Sequence, residues 1–166
     1  MTVPLVGGRV FQLAFVVADL DEALEQYTAT LGGEPWRLFE ISSSDFGSTT
    51  YRGWPAEFTC RLALNDASPQ LELVQPVSGA SAWDEWLRER GEGFHHFGVV
   101  VDSVDAVVER MGEAGHEPIQ SGRGFGLDGD GAYAYFDMRG RSGWIVEAVE
   151  PPRRFLEPDR IQGGAG

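Results

Sequence analysis

Phe11-Gln12-Leu13-Ala14-Phe15-Val16-Val17 and His95-His96-Phe97-Gly98-Val99-Val100-Val101 are two versions of one stretch, set at an offset of 84 residues. Asp21 falls on Asp105 at the same offset, and Gly32, Glu34 and Pro35 fall on Gly115, Glu117 and Pro118 at an offset of 83. Self-similarity of this kind means that one supersecondary unit is used twice. Each copy opens with a short apolar, β-rich run. Each then places apolar residues at helical spacing: Leu20, Ala23, Leu24, Tyr27 and Leu31 in the first, Val104, Val107, Val108 and Met111 in the second. Asp19 and Ser103 stand where N-caps belong, and Gly32-Gly33 and Gly115 where the helices must stop.

Further strands follow at Trp36 to Ser42, Phe58 to Leu64 and Leu71 to Gln75, answered by His116 to Gln120, Ala132 to Met138 and Trp144 to Val149. The economical description is an α+β chain of two tandem βαβββ modules, 9–78 and 94–150. A linker over 79–93 carries a helix at Ser81 to Arg90, where Trp83, Trp86 and Leu87 share helical spacing. The segment 151–166 is Pro/Arg-rich and then Gly-rich, and reads as a tail that frays at its end.

Composition narrows the chemistry. The 166 residues carry 13 basic and 26 acidic side chains, a net charge of −13, and every base is an arginine. With no lysine there is no Schiff base, no lysine general base and no Walker-type phosphate loop. The arginines stand singly or in pairs, which speaks against a nucleic-acid partner. A hydrophobic fraction of 42% with ten Phe, five Trp and four Tyr excludes disorder of the whole chain. Met1 to Gly8 has no basic n-region, and no apolar run approaches the roughly 18 residues of a membrane span. The expectation is a soluble protein without a signal peptide or membrane partner. Cys60 has no cysteine to pair with, which fits a reducing cytoplasm.

Residues two apart on a strand share a face, so a polar residue among apolar neighbours is conspicuous. Gln12 stands in the first strand of one unit and His96 in its mate. Glu72, in Leu71-Glu72-Leu73-Val74, is matched by Glu147, in Ile145-Val146-Glu147-Ala148. Singly, Gln or Glu on a short strand reads as an outward, solvated residue, and His as a hydrogen-bonded structural one. Jointly, at equivalent positions of a repeat, the four offer an amide oxygen, an imidazole and two carboxylates, a set that suits a divalent ion. Both readings stand on the pattern alone.

The order of these motifs resembles the vicinal oxygen chelate superfamily, whose members include glyoxalase I, methylmalonyl-CoA epimerase, extradiol dioxygenases and antibiotic-resistance binding proteins. The resemblance rests on Phe11 to Leu31, Leu71-Glu72-Leu73-Val74-Gln75-Pro76, Gly93-Phe94-His95-His96-Phe97-Gly98-Val99, Tyr135-Phe136-Asp137 and Gly143-Trp144-Ile145-Val146-Glu147. Together these span roughly residues 9 to 150. It implies two βαβββ modules forming a curved, mostly antiparallel sheet around a central metal-binding cleft. The implied ligands are Gln12, Glu72, His96 and Glu147, and the metal zinc, nickel, cobalt, manganese or magnesium. His96 is preferred over His95 because it aligns with Gln12, and His95 is expected on the opposite face. A homodimer is implied as well, with the quartet formed either within one chain or across two.

That resemblance implies a metal-dependent isomerase, epimerase or lyase that removes a proton next to the carbonyl of a small molecule chelating through two oxygens. Glu147 is the implied base and Glu72 the second acid/base. The set is nearest to those of glyoxalase I and methylmalonyl-CoA epimerase. An extradiol dioxygenase fits less well, since its first histidine is missing here. The further third-strand glutamate of the epimerases is replaced by Arg61 or Thr59, with Glu57 before the strand, and no residues for a glutathione tripeptide stand out. Arg61 is a candidate for a substrate anion or for a structural salt bridge. Ser44 to Pro55, with Phe46, Tyr51, Arg52 and Trp54, reads as a mobile loop carrying aromatic contacts. Ser121 to Gly131, with five glycines, reads as a flexible hairpin or lid rather than a dinucleotide or calcium loop. Tyr51, Trp54, Phe125 and Tyr135 join Arg61 as substrate-binding candidates. The competing reading is a metal-free protein of the same fold that sequesters an aromatic compound.

Overall fold

The computed structural model describes residues 4–32 and 35–163, without the side chain of Arg141. Gly33, Glu34 and the last three residues of the tail lie outside it. Alternation of inward and outward residues makes β1 (Arg9–Val16) and its repeat β7 (Gly93–Val100) the centre of the sheet, where they pair antiparallel. Asp19 caps α1 (Leu20–Leu31) by accepting from the backbone N–H groups of Asp21 and Glu22. Ser103 caps α3 (Val104–Glu113) in the same way through Ala106. The remaining strands are β2 (Trp36–Ser42), β3 (Ser48–Tyr51), β4 (Trp54–Pro55), β5 (Phe58–Leu64), β6 (Gln70–Gly79), β8 (Pro118–Phe125), β9 (Gly131–Asp137), β10 (Ile145–Glu150) and β11 (Arg160–Gln162).

They form one eleven-stranded curved sheet in the order β11-β2-β5-β6-β1-β7-β10-β9-β8-β3-β4. On either side of the β1–β7 seam the arrangement repeats: β1 pairs parallel with β6, β7 pairs parallel with β10, and every other pairing is antiparallel. The fold class is therefore α+β with a large, mostly antiparallel sheet. Helices α1 and α3 cover one face through two apolar clusters, Leu20, Leu24, Trp36 and Leu73 on one side and Val104, Val107, Met111 and Phe136 on the other. The linker helix α2 (Ala82–Arg90) packs on the other face, where Trp83 and Trp86 meet Val16, Val74, Phe58, Tyr133, Tyr135 and Ile145. That face is where Gln12, Glu72, His96 and Glu147 point.

One expectation is corrected and two are sharpened. Ser44 to Pro55 is not a loose loop: β3 and β4 form a hairpin whose turn sets Arg52 and Gly53 at φ 50° and 81°, and β3 pairs with β8. The threonines favour the extended backbone, and Thr50 Oγ1 meets Ser121 Oγ at 2.7 Å. The Gly-rich stretch is the expected hairpin, with β8 and β9 antiparallel, and its glycines are closely packed. Gly122 is glycine because the rings of Tyr133 and Phe46 lie where a Cβ would stand, and Gly131 because Phe125 does. The tail is tied down over its described residues, 151–163, while the end where fraying was expected lies outside them. Arg153 and Arg154 pair with Asp130 and Asp128, and β11 adds to the edge of β2 beyond Asp159, whose carboxylate accepts from the Glu40 backbone N–H at 2.7 Å.

Candidate functional site

The sheet order places four adjacent strands, β6-β1-β7-β10, under the four sequence-predicted donors. Glu72 sits opposite Ala14, Ala14 opposite His96, Gln12 opposite Gly98, and Gly98 opposite Glu147. All four come from one chain. His96 is fully buried, and its Nε2 lies 3.2 Å from a Glu147 carboxylate oxygen and 3.4 Å from one of Glu72. Neither oxygen lies where a ring N–H would aim, so Nε2 is buried with no hydrogen-bond partner. Gln12 donates from Nε2 to Gln70 Oε1 at 2.8 Å, which turns its Oε1 away into the same buried, unpartnered condition. Gly98 permits this, because a Cβ there would stand 2.8 Å from Gln12 Oε1.

Electrostatics follow from burial. Desolvation pushes the Glu72 carboxyl up to about 7, with His96 opposing the shift and Glu147 adding to it. Burial holds His95 well below the ordinary imidazole value. Burial likewise pushes the Cys60 thiol up, with the charges of Glu72 and Asp45 adding, so this thiol is no nucleophile.

The donors fit a divalent ion. An orphaned imidazole nitrogen beside two carboxylates, with an orphaned amide oxygen on the neighbouring strand, makes a mixed O/N set of the kind taken by zinc and its neighbours. Among the described residues, no group of three or more His, Cys, Asp and Glu side chains stands so that it could hold a metal ion. The carboxylates lean on the His96 ring instead.

His95 departs from expectation. One step along β1, Ala14 to Phe15, corresponds to two along β7, His96 to Phe94, so His95 is the extra residue of a β-bulge. A bulge cancels one alternation and puts both imidazoles on the inner face. Their Nδ1 atoms are 2.9 Å apart, and His95 Nε2 is 3.4 Å from the Ala82 carbonyl of α2.

Of the other candidates, Tyr135 lies against His96 with ring centroids 4.8 Å apart. Phe125 packs on Phe46 in an aromatic group with Phe58, Trp83 and Tyr133 on the same face. The Tyr51 hydroxyl is bonded to Glu85 of α2. Trp54 is 76% exposed on the outermost strand. Arg61 points to the α1 side and pairs with Asp21 at 3.1 Å, as a structural salt bridge would, because its neighbours Cys60 and Leu62 take the inner face. Thr59 bonds Ser78. Sequence reasoning missed Gln70, Gln120 and Glu85. Buried Gln120 accepts from the Ala82 N–H at 2.7 Å and donates to Tyr133 at 3.0 Å. Glu85 accepts from Tyr51, Arg52 and Arg139. Burial alone would raise the Glu85 carboxyl, but these hydrogen bonds outweigh it and hold it below its ordinary value.

With the fold and this geometry in hand, the family model of the Glyoxalase/Bleomycin resistance protein/Dioxygenase superfamily matches residues 11–136. The chain belongs to this superfamily. Methylmalonyl-CoA epimerase from Mycobacterium tuberculosis is similar in structure at 24% identity and a TM-score of 0.61, over 92% of this chain and 93% of that one. A hypothetical protein from Bacillus halodurans has a TM-score of 0.63 at 18% identity, over 90% and 98%. A variant of Streptomyces coelicolor methylmalonyl-CoA epimerase in complex with 2-nitronate-propionyl-CoA has 0.55 at 24%, over 86% and 96%. At these identities the likeness is one of fold. Comparison with curated proteins finds no relative. Among the described residues no helix is long and apolar enough to cross a membrane.

Proposed function

We propose that this superfamily member holds one divalent ion with Gln12, Glu72, His96 and Glu147 and moves a proton at a carbon next to a carbonyl, as an isomerase, epimerase or lyase. The observation that carries this reading is His96 Nε2, buried without a hydrogen-bond partner beside the carboxylates of Glu72 and Glu147, with Gln12 Oε1 likewise orphaned on the neighbouring strand. A buried polar atom without a partner costs about 1–3 kcal/mol, a cost that a bound ion removes. A bound ion would supply Lewis-acid stabilisation of the charge that develops on the carbonyl oxygen.

The chain's own groups do the rest. Glu147, on β10, and Glu72, on β6, reach His96 from opposite flanks of the β1–β7 pair. One carboxylate can take the proton from the substrate's α-carbon, leaving a planar intermediate, while the other can give a proton to its opposite face. Tyr135, Trp83 and Trp86 exclude water from this face. The two hollows that stand out, about 360 and 180 Å³, lie elsewhere, one beside α1 and the tail and the other beside Leu38 and Arg61.

The inner positions of β5 are Phe58, Cys60 and Leu62, so no third-strand carboxylate joins the pair, and the substrate is given by class only. Acyl thioesters are the first compounds to test, since a fold neighbour is in complex with an acyl-CoA. In D2O the metal-loaded protein is expected to place deuterium at the α-carbon of a 2-substituted acyl thioester or an α-hydroxy ketone, with Glu147→Gln at least about 100-fold slower. A fully metal-loaded protein that exchanges none of them would contradict the reading. A second reading, capture of a flat aromatic compound without chemistry, is favoured by the aromatic group around Phe46, Tyr133 and Trp83. It predicts tight binding of such a compound by protein that takes up no metal.

A further inference from the structure

We propose that His95 is a positioning residue: held by the first residue of α2, it fixes the proton of His96 on Nδ1 and leaves His96 Nε2 bare toward the two carboxylates. The inference rests on the metal reading for its purpose but not for its geometry. A carbonyl oxygen only accepts, so the contact between His95 Nε2 and the Ala82 carbonyl requires the His95 proton on Nε2. His95 is fully buried and its two nitrogens are engaged by Ala82 and His96, neither an anion. A second proton would make it a buried, unpaired cation, which is costly. His95 Nδ1 is therefore an acceptor, and at 2.9 Å the donor facing it is His96 Nδ1–H. A neutral imidazole protonated on Nδ1 has its lone pair on Nε2, the atom that lies 3.2 and 3.4 Å from Glu147 and Glu72 with no hydrogen bond to either.

The surroundings hold this relay in place. The bulge at His95 brings both rings to one face. The edges of Trp86 and Tyr135 pack on His95 at centroid distances of 5.1 and 5.7 Å. Ala82 is pinned from its other side by the Gln120 amide. The start of α2 is thereby linked through one imidazole to the ring that would bind the ion, the arrangement by which an outer residue sets a ligand's tautomer.

The test is 15N NMR of histidine-labelled, chelator-treated protein together with zinc or cobalt titration of wild type, His95→Phe and His95→Asn. Phe keeps the ring bulk and removes the acceptor, whereas the Asn side-chain oxygen can take the place of Nδ1. The wild type should show His96 protonated on Nδ1 only. His95→Phe should lose that signature and bind metal at least about tenfold more weakly, and His95→Asn should restore both to within about threefold. A His96 proton on Nε2 in the wild type, or metal affinity unchanged in His95→Phe, would overturn the proposal. Wild-type protein with the assigned tautomer that takes up no metal would overturn the metal reading alone.

Discussion

A methyl group at position 98 would stand 2.8 Å from Gln12 Oε1, 2.9 Å from Gln12 Cβ and 3.1 Å from the Phe11 ring. Only the first of these is the tip of a side chain, so Gly98→Ala must displace Gln12 as a whole. The expected cost is about 1–3 kcal/mol in stability, as for other overpacked sites, together with weaker metal binding. Thermal unfolding with and without metal checks it, and a variant as stable as wild type that binds metal equally well would show that Gln12 is not held there. The four polar residues were legible in the sequence as a set because the repeat put them at equivalent strand positions. Gly98 carried a signal too, a glycine inside an apolar strand. His95 was misplaced because strict alternation assigns adjacent residues to opposite faces, and the bulge depends on pairing with β1, which the local sequence does not express.

At the scale of elements, α2 was legible as a helix from Trp83, Trp86 and Leu87, but its role was not. Its Glu85 looks like one more surface acid, yet it is buried, and its partners Tyr51, Arg52 and Arg139 lie 34, 33 and 54 residues away. Arg139 also pairs with Asp137 at 2.6 Å and lies over the Trp86 ring. Together these contacts fasten α2 to the β3–β4 hairpin and to the end of β9. Glu85→Gln removes the countercharge of Arg52 and one of the carboxylates on the nearly buried Arg139, which keeps Asp137. The expected loss is about 2–4 kcal/mol, smaller than for a fully buried pair because Arg52 is half-exposed. Hydrogen exchange should accelerate in residues 82–90 ahead of β1 and β7, and uniform acceleration across the sheet would argue against a local fastening.

For the molecule as a whole, the strands Trp36–Ser42 and Phe58–Leu64 were legible to the residue, whereas β3, β4 and β11 were not, because each is short, β3 and β11 gain their order from partners distant in sequence, and β4 from β3. The surplus of acids also divides by environment. Glu72 folds into a site that favours its protonated form, so in metal-free protein its contribution to stability falls as pH rises from its ordinary 4.5 through about 7. His95, held below its ordinary 6.5, works in the opposite sense over part of that range. Glu85 and Asp137, both held low, matter only in acid below that window. Glu72→Gln isolates the first contribution. The stability of chelator-treated wild type relative to Glu72→Gln should decline between pH 4.5 and 7.5 by an amount on the order of 3 kcal/mol. A difference that stays flat would mean that Glu72 is solvated.

The claim on which the account turns is that four side chains of one chain hold a divalent ion. Metal content of wild-type protein purified without chelator, measured beside His96→Ala, tests it most directly. About one ion per chain is expected in the wild type, or its uptake on titration, with loss of that ion in His96→Ala while the fold stays intact. Wild-type protein that carries no metal and cannot be loaded with zinc, nickel, cobalt, manganese or magnesium would contradict it.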